Sequence, residues 1–308
     1  MFSWRAADKL QTSVDHPNRF MDYLTANQPS NNAMHRDPIQ IGLGQVPDVA
    51  KAQAEQVGFR FGDTGTHTSR TIMLAELSNA LRVCKPQATR ADYVAAVVDE
   101  NCLGKHTQST RKTTLQRLTE LYALDEKVTL FRTARHFWYA DEKAHGLIAL
   151  LLSLARDPLL RATAPAVLAL ASGDEIARQK FTDAIRDAVS GRLNDATLDK
   201  VVRNAASSWT QSGHLDGRSR KRRLAVTPTP GAVAFALLLG YLLGVRGQGL
   251  FETLFARLLD RDVTELSLMA MEAKRLGLLD IKSGGGMLVV SFDGILTDKE
   301  KGLSHGAH

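Results

Sequence analysis

The stretch AVAFALLLGYLLGV, residues 232–245, constrains this chain more than any other. A bilayer span needs roughly 20 apolar residues, and this run is shorter. Arg246 follows it directly and a basic run ending at Arg223 precedes it, so neither flank extends it into hydrocarbon. A helix apolar on every side has to be enclosed by other helices. The segment therefore predicts a buried core helix rather than a membrane anchor.

The rest of the composition fits that picture. With 308 residues, 44% of them hydrophobic and 23% charged, the chain is long enough for two domains and a well-buried core. Aromatics make up 6% and prolines number nine, too few for a β-sandwich built from aromatic strands and frequent turns. The fold class expected is mainly α: a compact multi-helix protein with winged-helix-like units at both ends of the core and one or two short β-hairpins.

Residues 1–57 read as an extension or arm, because TANQPSNNAMHRDPIQIGLGQVPD is polar, carries three prolines and keeps no period. Residues 58–141 form a helix-turn-helix-like N-terminal domain. A first helix is expected over 68–83, with Met73, Leu77 and Leu81 on one stripe. A second starts near Thr89, where Thr89 and Asp92 suit a helix end, and carries Tyr93, Val94, Val97 and Val98 inward. Gly104 breaks the chain, and a third helix over 107–124 turns Leu115, Leu118, Leu121 and Tyr122 to the core. KVTLFRTARHFWYAD follows with a β-prone start. Three helices and a strand is the order of a winged-helix unit.

Residues 142–296 form a helical C-terminal domain. Its first segment is apolar nearly all round and breaks at Asp157-Pro158, since proline disfavours helix in the residue before it. Polar helices follow over 174–190 and 195–212. After the buried helix, Asp262 with Glu265 forms a capping arrangement, and Leu266, Met269, Ala270, Ala273 and Leu276 make a buried stripe closed by Gly277. LLDIKSGGGMLVVSF reads as a hairpin with its turn over 283–286, which makes this end winged-helix-like as well. Residues 297–308 read as a flexible tail.

Lys and Arg outnumber Asp and Glu by 39 to 33, a net +6. An excess this small permits polyanion binding without requiring it, so its distribution decides. No acid occurs from Lys105 to Thr119, and the third helix offers Gln108, Arg111, Lys112, Thr114 and Arg117 on its outer side. Solvated helix faces usually mix signs, so this face is read as either contacting phosphates or simply solvated. The loop over 213–223 carries Arg218, Arg220, Lys221, Arg222 and Arg223, five cations within six positions. Three readings stand for it: a polyanion contact, a solvated loop, or a dock for an acidic partner. The helix over 262–276 exposes Glu265 and Glu272 beside Lys274 and Arg275, which suits packing or docking better than reading DNA.

No catalytic pattern appears. GxxxxGK[ST], HExxH and GxSxG are absent, and GDTGTHTS (62–69) lacks the lysine and preceding strand of a phosphate cradle. His67, His106, His136, His145 and His214 read as surface or satisfied core histidines. The pairs Asp99-Glu100 and Asp141-Glu142 project to different helix faces and do not converge on a metal. Cys84 and Cys102 read as buried free thiols, consistent with a reducing compartment. The start MFSWRAADKL has no secretory pattern. The expectation is a cytoplasmic protein without enzymatic activity, cofactor, metal or small-molecule substrate.

The order of several segments resembles a known family. LFRTARHFWYAD, LLSLARDPLL, NAASSWTQSGHLDG with its basic sequel, and TPGAVAFALLLGYLLGVRGQGLFETLFARLLD followed by GLLDIKSGGG are similar to BrxA, the small helical component of BREX phage-defence systems. The similarity spans roughly 59–292. It implies a helical protein with winged-helix character that binds double-stranded DNA, largely without sequence specificity, and catalyses nothing. On that reading Arg111, Lys112, Arg117, Arg218, Arg220, Lys221, Arg222 and Arg223 neutralise phosphates. Six such contacts imply a log–log salt slope of about −5. The alternatives are a helical adaptor bridging other defence proteins and a winged-helix transcriptional regulator.

Overall fold

The computed structural model describes residues 48–284 and 287–303. Fourteen helices and two small antiparallel hairpins make up these residues. Helix α1 is Asp48–Val57, and after a single 3-10 turn at Thr66–Thr68 comes α2, Leu74–Val83. Helix α3, Arg90–Val94, opens on a capping box in which the Thr89 hydroxyl accepts from Asp92 N–H and the Asp92 carboxylate accepts from Thr89 N–H. It runs on as a π-helical turn, Ala95–Asp99. Helix α4 (Gln108–Tyr122) is capped by Thr107, then α5 is Thr129–Ala140 and α6 is His145–Arg156.

At Asp157-Pro158 the chain breaks as expected. The Asp157 carboxylate caps α7 (Pro158–Ala162), with proline at a position whose missing N–H is harmless. Short α8 (Ala164–Leu168), then α9 (Arg178–Ala188) and α10 (Asp195–Gln211), lead to the first hairpin, β1 (Leu215–Asp216) and β2 (Arg222–Arg223). Helix α11 (Pro230–Leu242) is the expected core helix, buried at every position from Gly231 to Leu242. Helix α12 (Leu254–Arg257) and α13 (Val263–Arg275) follow, the latter opening on the expected Asp262–Glu265 capping box. Strands β3 (Asp280–Gly284) and β4 (Met287–Ser291) then pair Ile281 with Val290, and α14 (Asp298–Leu303) closes the described chain.

A single apolar cluster runs from Ala54 to Leu296, with α11 packed against α5, α6, α12 and α13. It crosses the expected 141/142 boundary without a gap: the rings of Phe137 and Phe235 lie 5.6 Å apart. Burial of this continuous apolar surface, at about 25 cal/mol per Å², is the main favourable term in folding.

Several expectations change. Residues 69–73 are not helical, because the Ser208 hydroxyl and Gln211 amide oxygen on α10 take the N–H groups of Ile72 and Leu74. Met73 sits in the left-handed region at φ 50° just before α2. The segment expected to start as a strand is helix α5, and no hairpin follows α4 among the described residues. Leu130, Phe131, Ala134, Phe137 and Trp138 recur with helical spacing and are all buried, which outweighs the β-branched Val128 and Thr129 at the start. Leu276, placed on the buried stripe, is 59% exposed.

Both expected loose ends are partly structured. Of the N-terminal extension, 1–47 lies outside the described residues, while α1 buries Ala54 and Val57 and packs against α14. Of the tail, 304–308 lies outside, while Glu300 on α14 pairs with Arg132 at 2.6 Å and accepts from Thr129 Oγ1 at 2.6 Å. Burial raises the Glu300 carboxyl, yet these hydrogen bonds outweigh it and hold the group down at about 2. The expected hairpin turn at 283–286 places Ser283 and Gly284 at the end of β3, with 285 and 286 outside the described residues.

Candidate nucleic-acid interface

Helix α4 separates the three cations assigned to its outer side. Arg111 shares the inner stripe with Thr114, Leu118 and Leu121, so its guanidinium folds over the helix start, donating to the carbonyls of Lys105 and Val98, each at 3.2 Å. Thr114, also expected outside, is buried. Arg117 donates to both carboxylate oxygens of Glu120, at 2.9 and 2.7 Å. Lys105 is neutralised from another helix by Glu76, at 3.1 Å. Lys112 alone of the three stands exposed without a side-chain partner among the described residues. A sequence window free of acids did not make a face free of acids.

The basic loop divides in a similar way. Arg223 is 4% exposed, and its guanidinium donates to the carbonyls of Val167, His214 and Leu224 and to the Asp260 carboxylate. It holds β2 against the core and is not presented to solvent, which corrects its assignment to a phosphate strip. Lys221 reaches Thr210 Oγ1 at 2.9 Å and the Gly217 carbonyl. Arg218, Arg220 and Arg222 are exposed and make no ion pair among the described residues. Their hairpin is framed by acids at its base: Arg222 faces Asp216 across the ladder and Glu175 across an isolated bridge.

Beside Lys112 the structure assembles a cleft that the sequence did not disclose. Lys112, Leu115, Gln116 and Thr119 share one face of α4 at the 3–4 spacing of neighbouring turns. Val94 and Val98 from α3 and its π turn line the cleft too. Arg60, Arg90 and Arg156 complete it near the C-terminal end of α4, where Arg60 and Arg156 bond the Glu120 and Thr119 carbonyls and Arg90 contacts Asp125. The cleft is open to solvent and holds a volume of about 540 Å³. Arg60, Arg90 and Arg156 come from three segments far apart in the chain, so no local pattern could have grouped them.

A second constellation looks chemical and is structural. His67 Nδ1 lies 2.8 Å from Asp157 Oδ2, and its Nε2 lies 2.8 Å from Ser208 Oγ. That is the residue set of a hydrolytic triad. Here all three side chains are buried, and the Ser208 oxygen also accepts from Ile72 N–H and lies 2.8 Å from the Asn204 carbonyl. With no solvent-facing nucleophile, the arrangement clamps the 3-10 turn to α7 and α10. Burial raises the Asp157 carboxyl, but the charge and hydrogen bonds of His67 outweigh it and keep the group below its ordinary value.

Among the described residues no group of three or more His, Cys, Asp and Glu side chains converges as a metal site, and no helix is long and apolar enough to cross a membrane. Cys84 is buried and Cys102 half-buried, both as free thiols. No protein-family model matches this chain, and no curated protein matches it.

Proposed function

We propose that this protein is a non-catalytic, largely sequence-nonspecific double-stranded DNA-binding component of a bacterial phage-defence system of the BREX type. The observation that carries the DNA part is the first hairpin, on which Arg218, Arg220 and Arg222 are exposed and make no ion pair among the described residues. Guanidinium groups presented in this way suit phosphate oxygens, which accept paired N–H donors. Lys112 adds a fourth exposed cation. The defence assignment rests on the resemblance of the segment order to BrxA.

Four cations give a weaker salt dependence than the eight-residue strip read from sequence. The log–log slope for random duplex is about −3 to −4. Fluorescence anisotropy of a labelled random duplex across salt tests this, with the triple variant R218E/R220E/R222E as control. Binding at low salt that the variant abolishes supports the reading, and no binding by the unaltered chain at low salt ends it.

A specific observation favours a second reading, the adaptor. Leu268 on α13, Leu276 just after it, and Met287 and Val289 on β4 are 51%, 59%, 69% and 54% exposed. Large apolar side chains left in water suit docking to another protein. Duplex titration of R218E/R220E/R222E separates the two: loss of binding supports the DNA reading, and unchanged binding favours the adaptor.

A further inference from the structure

We infer that the cleft between α3 and α4 is a binding site for a nucleotide-sized phosphomonoester. Its lining residues carry four cations, Arg60, Arg90, Lys112 and Arg156, against one carboxylate, Glu120. That carboxylate is already taken by Arg117, Thr66 and Gln116. Arg90 has a distant contact with Asp125 at 3.9 Å, while Arg60 and Arg156 bond only to carbonyls among the described residues. Positive charge at the cleft therefore exceeds the counter-charge, which comes from Glu120 in the lining and from Asp125 and Glu126 beside Arg90.

Arg156 makes the excess harder to explain as ordinary surface. Its guanidinium donates to the carbonyls of Gly58 and Thr119, but its Nε is buried with no partner. Burial, and then the neighbouring charge of Arg60, lower this arginine to about 10. A buried guanidinium beside a second positive charge, that of the exposed Arg60, is unfavourable unless an anion joins them. A phosphomonoester dianion supplies acceptor oxygens for both guanidiniums.

The shape argues for more than phosphate. About 540 Å³ is within the range for organic ligands and far exceeds one small anion. Val94, Val98 and Leu115 form an apolar wall that a hydrated ion leaves uncovered, whereas a planar base covers it. The Gln116 amide oxygen and the Thr119 hydroxyl stand at the same cleft, free to meet a polar edge. The same chemistry comes from a free nucleoside monophosphate or from the 5′-phosphorylated end of a strand.

The cleft shares Lys112 with the duplex-binding reading and otherwise uses different residues, so the test relies on Arg60 and Arg90, both exposed and replaceable without disturbing the core. Calorimetric titration of the full chain with adenosine monophosphate, inorganic phosphate, adenosine and glucose 6-phosphate is the experiment. Adenosine monophosphate is expected to bind at least about tenfold more tightly than each of the other three, because they lack either the base or the phosphate. The double variant R60A/R90A is expected to weaken it about tenfold or more while random-duplex affinity holds. A 5′-phosphorylated oligonucleotide binding more tightly than its 5′-hydroxyl twin identifies the strand end as the source, and equal binding identifies the free nucleotide. No binding of the monophosphate, equal binding of glucose 6-phosphate, or full affinity in R60A/R90A overturns the assignment. Failure of duplex binding with nucleotide binding retained overturns only the hairpin reading.

Discussion

His67 Nδ1 lies 2.8 Å from Asp157 Oδ2 in a site closed to solvent, and the same carboxylate also accepts from the His67 backbone N–H at 3.1 Å. Its other oxygen caps α7 by accepting from Leu159 and Leu160 N–H, at 3.0 and 3.1 Å. One buried group thus joins the 3-10 turn, α7 and, through His67, the Ser208 hydroxyl of α10. Gly65 has to be glycine for space, since its backbone is extended and a Cβ there would collide with the Asp157 carboxylate.

Replacing Asp157 with alanine removes all of these bonds and leaves buried donors unpaired. The expected loss is roughly 3–5 kcal/mol of unfolding free energy. Urea unfolding measures it, and G65A should lose about 1–3 kcal/mol by overpacking the same spot. Because the Asp157 carboxyl titrates below its ordinary value when folded, its contribution is present above that value and disappears as pH falls through the depressed one.

Arg223 and Arg220 stand three positions apart and should behave oppositely. R223A breaks a buried pair with Asp260 and should lose about 3–5 kcal/mol. R220A, at an exposed position, should change stability by no more than about 0.5 kcal/mol. Folded R223A should keep its affinity for random duplex, and R220A should reduce it. Thermal melts paired with anisotropy separate the two effects.

Stability should also fall between neutral and mildly acidic pH through His214. Burial is the main cause that lowers its imidazole from 6.5 to about 4. Its Nε2–H donates to the Leu258 carbonyl at 2.8 Å, and Nδ1 lies 2.9 Å from the Ser212 hydroxyl. The unfolded chain takes up this proton more readily than the folded one. Stability is therefore full above about 6.5 and declines as pH falls toward 4. Urea midpoints at pH 7 and pH 5 measure the decline, and H214Q, although less stable throughout, should show a shallower slope over that interval.

Truncation after residue 296 should destabilise the protein, although the tail looks dispensable in sequence. It removes Glu300 from Arg132 and Thr129 and uncovers the contact of α14 with α1. Loss of charge-assisted hydrogen bonds of this kind amounts to about 1.5–3 kcal/mol. In the full chain this contribution persists above the ordinary glutamate range and is lost as pH falls toward about 2. E300Q should reproduce much of the effect of truncation in the same urea assay.

What the residues determined by themselves is whatever depends on near neighbours or on period. The 232–245 run required an enclosing helical core, and the Thr89–Asp92 and Asp262–Glu265 boxes and the Asp157-Pro158 break act within one helical turn. Helix α5 was legible too, in the spacing of Phe131, Ala134, Phe137 and Trp138, although its β-branched start suggested a strand. Tertiary structure decided which charges are available. Glu76, Glu120 and Asp260 silence Lys105, Arg117 and Arg223, while Arg60, Arg90 and Arg156 line one cleft with Lys112. A charge is cancelled or reinforced by whatever lies within a few ångströms of it. For long side chains those neighbours are set by helix packing, which the order of residues along the chain does not show.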